Sequence, residues 1–498
     1  MKKLILITCL ISFSIKSQNI TLPIDTIVTT YHETKIKGQT IKYTAEAGTQ
    51  PVWDKNGNPI ASLFFTYYKR VFNKDSKLNP NHRPLIISFN GGPGSGSLWM
   101  HIGYTGPKVL NIDEEGYPIQ PYGVKDNPYS IIDTADIVFV CPVNTGYSRM
   151  ISDSKGKYPD RKIFFGINAD IKYLADWINT FISRKNRWES PKYIIGESYG
   201  GTRVMGLSYE LQNKHWMYLN GVIMVSPADY KLFEEGDSVN SSLHLPYYSA
   251  TAWYHGALDE DLQKKDLNQI LPEVEDFTIN KLIPAIAKGG FISETERDEI
   301  ADKYSYYSGL SKIFILNNNL NVPNNFFWKE LLKERDGLTV GRLDSRYRGL
   351  DKKNAGSSPD TNIELNSWNH SFTPAINYYL RNELNFITDI KYNVFGPVHP
   401  WDRENDNTRE NLRKAMAQNP FLKVFIQSGY YDGATNYFQA KYTMWQVDPS
   451  GKMKDRFYFE GYRSGHMMYL RKEDLKKSNE DLRHFIKNSS TNGKPAKY

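Results

Sequence analysis

Apolar and polar positions alternate between residues 27 and 67, as where Ile41, Tyr43 and Ala45 are separated by Lys42 and Thr44. The run Asp54-Lys55-Asn56-Gly57-Asn58-Pro59 interrupts the alternation with turn-forming residues. Period-two patterning broken by a turn predicts an antiparallel β-meander. Further along, the pattern changes to short unbroken apolar runs at 84–90, 136–140, 193–195, 221–226, 423–428 and 456–460. Strands of that kind are buried on both faces, as in a parallel sheet. Apolar residues at helical spacing lie between them: Ile171, Leu174, Ala175, Ile178 and Phe181 predict a helix over 168–182. Residues 202–212 and 470–487 also read as helices. The alternation gives an α/β fold class, a mainly parallel central sheet flanked by helices.

Between about 230 and 367 strand-like runs become rare, and helix-like stretches such as 259–271 and 277–287 replace them. A mostly helical cap inserted into the sheet domain is the expected arrangement. The chain then divides into a leader (1–17), a first core segment (18–229), the cap (230–367), a second core segment (368–488) and a polar tail (489–498).

Composition narrows the partners. Of 498 residues, 40% are hydrophobic and 23% charged, an ordinary balance for a soluble protein. The net charge of +7 is spread among acidic residues with no basic stripe, so nucleic acid is not an expected partner. Met1-Lys2-Lys3 precedes an apolar run of about ten residues, too short to span a bilayer. The pattern is that of a secretory signal cleaved near Ser17. No later run is long and apolar enough for a stable membrane span, so an exported soluble protein is expected. Cys9 falls in the leader, which leaves Cys141 alone and precludes an intrachain disulfide. An exported chain without disulfides points to a bacterial source. Nothing in the sequence sets an oligomeric state.

The candidate chemistry centres on Gly196-Glu197-Ser198-Tyr199-Gly200-Gly201, between a predicted strand and a predicted helix. Gly-x-Ser-x-Gly in that context is a nucleophile elbow, a sharp turn that lifts the serine hydroxyl out of the sheet. A serine needs a base to take its proton and a third group to orient the base. In such a sheet the acid and the base follow in that order after late strands. Asp432, after the strand at 423–428, and His466, after the strand at 456–460, satisfy both conditions. The other nine histidines fall in the meander, loops, cap or helices; Asp402 and Asp406 follow no buried strand. For the oxyanion, one donor is the Tyr199 N–H and the other comes from the turn Asn90-Gly91-Gly92-Pro93-Gly94. That turn lacks the Lys-Ser/Thr of a phosphate cradle. No paired histidines have metal-ligand spacing, so no metal and no cofactor are implied.

Taken together, the Asn90-Gly91-Gly92-Pro93-Gly94-Ser95 turn, Asn127-Pro128-Tyr129-Ser130, Gly146-Tyr147-Ser148, the elbow, Asp432 and Gly465-His466-Met467 resemble the serine carboxypeptidase family, peptidase S10, in its disulfide-free bacterial form. The resemblance runs from about residue 41 to the C-terminus. It implies an α/β-hydrolase fold with a cap after the sixth strand, and release of single residues from peptides with a free C-terminal carboxylate. It also implies Ser198 as nucleophile, His466 as base, Asp432 as its orienter, and the Gly92 and Tyr199 N–H groups as the oxyanion hole. Asn90, the Gly91 N–H and Glu197 would bind the substrate carboxylate. Two carboxyls can share a hydrogen bond only if one keeps its proton, which favours acidic pH. Ser88, Tyr104, Gly96 and Val140 depart from the family pattern, the first two at supports of the carboxylate site. An exported esterase or acyltransferase using the same triad, and a non-catalytic binding protein of the same fold, are the alternatives.

Overall fold

The computed structural model describes residues 22–72, 79–228, 238–403 and 407–491, together with 493 and 495. The expected leader at 1–17 and half of the polar tail lie outside the described residues, as does Asp406.

The N-terminal alternation folds as an antiparallel meander, β1 (Thr26–Ile36), β2 (Gln39–Trp53) and β3 (Pro59–Arg70). The unbroken apolar runs form β4 (Leu85–Phe89), β5 (Asp136–Val140), β6 (Lys192–Glu197), β7 (Gly221–Val225), β8 (Lys423–Gly429) and β9 (Phe457–Tyr462). Their spatial order is β1-β2-β3-β5-β4-β6-β7-β8-β9, with a two-residue strand, Arg149–Met150, paired to β3 off this path. The six strands from β5 to β9 are mutually parallel.

Alternate residues of the parallel strands enter different cores, which is why these strands are mostly apolar. Tyr193 and Ile195 of β6 and Ile223 and Val225 of β7 join one cluster, and Ile194, Val222 and Met224 join the other. The second cluster is closed by α1 (Ile167–Arg184) and α2 (Tyr199–His215), through Leu174, Ile178, Val204 and Leu207 among others.

Residues 238–362 are mainly helical. Helix α3 (Leu245–Tyr254), α4 (Leu267–Phe277) and α5 (Glu294–Ser308) pack around their own apolar core, which includes Leu245, Tyr248, Val274 and Tyr304. Asp266 and Gln269 close the α4 N-terminus as a capping box. The insertion follows β7 in the chain. Helix α6 (Ile363–Tyr378) begins before residue 368 and buries Trp368, Phe372 and Ile376 in the first sheet core, so one helix carries the chain from cap to core. Helix α7 (Thr408–Gln418) and α8 (Tyr437–Val447) add to the second core, and the last helix, α9 (Lys472–Ser489), to the first.

Candidate active site

Ser198 stands between β6 and α2 with φ 59 and ψ −125, a backbone region that costs a non-glycine residue about 1–3 kcal/mol. Three hydrogen bonds hold it there. Its N–H donates to the Val225 carbonyl at 2.9 Å, and its carbonyl accepts from Gly201 N–H at 2.8 Å and Ala228 N–H at 3.0 Å. The turn closes only because residue 196 is glycine: a Cβ there would lie 2.1 Å from the Gly200 carbonyl oxygen. A neighbouring close approach brings the turn after β4 against the elbow, since a Cβ on Gly91 would come 2.6 Å from Tyr199 N and 2.9 Å from Ser198 Cβ. Gly92, at φ 107, is exposed beside them.

Asp432 and His466 meet at the far ends of β8 and β9. His466 Nδ1 lies 2.7 Å from Asp432 Oδ2. The carboxylate also accepts from the Thr435 hydroxyl at 2.6 Å and, on Oδ1, from the Ala434 and Thr435 N–H groups at 2.9 and 3.0 Å. Burial would raise the Asp432 pKa, but the His466 charge and these bonds outweigh it and hold it below the ordinary carboxylate value. Burial pulls the other way on His466; the Asp432 charge and hydrogen bond, with the nearby Glu197, leave its imidazole more basic than usual. The pair is tied to the elbow through one residue. Ser226, adjacent to the Val225 that holds Ser198, donates its hydroxyl to the His466 carbonyl at 2.8 Å. From the other side, the cap's Leu343 carbonyl accepts from His466 N–H at 2.7 Å.

Glu197 forms a second, adjoining cluster. Its side chain is 3% exposed, takes a short hydrogen bond from the Asn90 side-chain amide on Oε2, and accepts from the Tyr469 hydroxyl at 2.7 Å on Oε1. Asn90 is itself oriented by Met100 N–H, 3.1 Å from its Oδ1. Burial pushes the Glu197 carboxyl up to about 7, against the opposing pull of His466, Tyr469 and Asn90. A carboxyl that holds its proton to near neutrality can donate to an incoming carboxylate.

Of the predicted residues, Asp432 and His466 form one hydrogen-bonded pair, linked to the Ser198 elbow through Ser226; Asn90 and Glu197 form another; and Gly91 packs against Ser198 and Tyr199. Two of the departures from the family pattern have definite places. Tyr104 stacks on Tyr469 with centroids 4.9 Å apart and its hydroxyl donates to Gln427 at 2.7 Å, so it braces the tyrosine that binds Glu197. Ser88 is buried in β4 opposite Ile195, and its hydroxyl has no protein partner. Asp402 is placed elsewhere, its carbonyl accepting from Ile167 N–H at the start of α1. Sequence reasoning missed Tyr469, Thr435 and Arg203. Each lies within five residues of a recognised site residue, and Arg203 is a charge on the otherwise apolar face of α2.

The family model and the curated relatives point to one family. The family model described as "Serine carboxypeptidase" matches residues 52–468. Serine carboxypeptidase-like 36 of Arabidopsis thaliana is 31% identical over 152 residues, 30% of this chain and 29% of that protein. Serine carboxypeptidase-like 13 of the same plant is 22% identical over 349 residues, 66% of this chain and 69% of its own length. The chain spans 29%, 40% and 34% of the first three curated relatives it matches. Among solved structures, Kex1(delta)p, a prohormone-processing carboxypeptidase from Saccharomyces cerevisiae, shares the fold with a TM-score of 0.52 at 16% identity, over 89% of this chain and 91% of that one. No helix among the described residues is long and apolar enough to cross a membrane.

Proposed function

This chain belongs to the serine carboxypeptidase family, and from that premise we propose that it removes single residues from the C-termini of peptides through a Ser198–His466–Asp432 triad. The observation that carries the reading is the buried Glu197–Asn90 pair beside the nucleophile, with a carboxyl pKa near 7. A carboxypeptidase needs a neutral acid at that place to receive the chain end.

In the proposed reaction the substrate's terminal carboxylate binds the Asn90 amide, the Gly91 N–H and protonated Glu197, which sets the last peptide carbonyl over Ser198. Ser198 Oγ attacks the carbonyl carbon as His466 takes its proton, and Asp432 stabilises the imidazolium. The oxyanion is received by the Gly92 and Tyr199 N–H groups. The C–N bond breaks as His466 returns the proton to the leaving amine. Water, deprotonated by the same histidine, then attacks the acyl-enzyme and frees Ser198. The cap over the His466 loop supplies the walls for the flanking side chains. The charged-then-apolar leader at 1–17 supports export, with removal near Ser17.

The esterase or acyltransferase reading draws on Tyr104, whose hydroxyl is directed to Gln427 and leaves Glu197 only one tyrosine donor. Mass spectrometry of a peptide during digestion separates the two. The expected result is a ladder of single C-terminal losses, absent with Ser198→Ala, whose rate falls on the order of 10⁴-fold or more. A peptide left intact, while a simple ester is cleaved, would favour the alternative.

A further inference from the structure

Arg203 is the fifth residue of α2 and is fully buried, one turn beyond the nucleophile. Its Nε donates to Asp170 Oδ2 on α1 at 2.6 Å. Its remaining nitrogens reach the turn after β4: Nη1 donates to the Asn90 carbonyl at 2.6 Å and Nη2 to the Pro93 carbonyl at 3.3 Å. The guanidinium carbon lies 5.6 Å from the Phe89 ring centroid and 5.1 Å from that of Tyr199. Buried ion pairs contribute little net stability compared with an apolar filling. What this one does is grip both ends of the dipeptide Gly91-Gly92.

The Asn90–Gly91 peptide bond is not among the cis bonds of the chain. In a planar trans peptide the C=O and N–H point to opposite sides. Anchoring the Asn90 carbonyl on Arg203 therefore turns the Gly91 N–H to the opposite face of the turn, away from the Arg203–Asp170 pair. The next peptide is held independently, because the Gly91 carbonyl accepts from Ser95 N–H at 3.0 Å. That bond sets the Gly92 N–H directly, whereas Arg203 reaches this part of the turn only through its longer contact with the Pro93 carbonyl. The donor for the substrate carboxylate and the donor for the oxyanion thus have different main supports.

We propose that Arg203 is a positioning residue for recognition of the C-terminal carboxylate. It aims the Gly91 N–H, and its charge on the Asn90 carbonyl polarises that peptide so that its N–H donates more strongly. Arg203 touches no substrate and takes no part in bond breaking. The proposal rests on the carboxypeptidase reading above, and the test keeps the two apart.

The measurement is kcat/KM for a peptide and for its C-terminal amide, with wild type, Arg203→Lys, and the double variant Arg203→Met/Asp170→Asn, which leaves no lone buried carboxylate. The acid-to-amide ratio does not depend on the fraction of folded enzyme. The expected result is a ratio about tenfold lower in both variants, caused by a higher KM for the free acid. Labelling of Ser198 by a phosphonate, which uses only the triad and the oxyanion donors, should slow far less. A ratio unchanged in both variants, or a labelling rate that falls as much as the ratio, overturns the proposal. A wild-type enzyme that does not distinguish acid from amide contradicts the carboxypeptidase reading itself, and the role of Arg203 with it.

Discussion

Glu197 and His466 make opposite demands on pH. In the proposed role Glu197 binds a carboxylate when protonated, and with a pKa pushed up to about 7 by burial it loses that proton as pH rises through neutrality. His466 takes a proton only when neutral, and Asp432 raises the pH at which it becomes so. The free-acid kcat/KM should therefore follow a bell, with its acid limb from His466 and its alkaline limb from Glu197; the two charges interact, so both limbs belong to the pair. Glu197→Gln retains a hydrogen-bond donor without titrating, and should flatten the alkaline limb while moving the acid limb to lower pH, because the Glu197 charge no longer helps to raise the His466 pKa. Profiles of KM and kcat from about pH 4 to about pH 9 check this, and an alkaline limb that survives in Glu197→Gln removes the role of Glu197. Asp432 and His466 were legible as candidates because each follows an apolar-looking strand of the sheet, although only β8 is buried and β9, at the sheet edge, is largely half-buried. Tyr469 was not, since nothing in Met467-Met468-Tyr469 tells which side chain turns back toward residue 197.

At the scale of elements, the site depends on how closely β6 and α2 meet. Gly196→Ala places a methyl 2.1 Å from the Gly200 carbonyl, inside the first turn of α2, where the backbone has little room to yield. Overpacking of this kind costs about 1–3 kcal/mol, and here the strain falls on the turn that carries Ser198. Denaturant unfolding should show a loss in that range, with phosphonate labelling of Ser198 nearly abolished. Labelling at the wild-type rate would mean that the elbow tolerates the methyl. Such a strand–turn–helix unit is legible in sequence because glycine spacing and apolar runs are local. The grip of Arg203 on the turn after β4 spans more than a hundred residues, and a single charge on a helix does not announce its partner.

Across the whole molecule, the segment 342–346 laces the cap onto the loops that carry Asp432 and His466. Arg342 and Leu343 accept through their carbonyls from Gly433 N–H at 3.0 Å and His466 N–H at 2.7 Å, and Ser345 N–H donates to the Tyr431 carbonyl at 2.9 Å. Arg346 fixes the segment: both it and Asp344 have side chains 2% exposed, paired at 2.6 Å, and Arg346 also donates to Ser464 at 3.1 Å. Arg346→Met leaves Asp344 buried and alone, which should cost about 3–5 kcal/mol, whereas Asp344→Asn/Arg346→Met should recover most of the loss. Chemical denaturation of both variants measures it, and equal losses would contradict the pairing. The alternation of strands and helices made the layered sheet readable from the sequence. The lacing of the cap onto the catalytic loops was not, because backbone hydrogen bonds leave no mark on side-chain pattern.

One locus is proposed both to break an acyl bond and to recognise a chain end. Turnover by the wild-type protein of one peptide, as the free acid and as the C-terminal amide, at acidic pH and above neutrality, tests both roles together. The expected preference for the acid is roughly ten- to a hundredfold, the worth of one charged hydrogen bond, shrinking as pH rises past about 7. Equal turnover of acid and amide at every pH would contradict it.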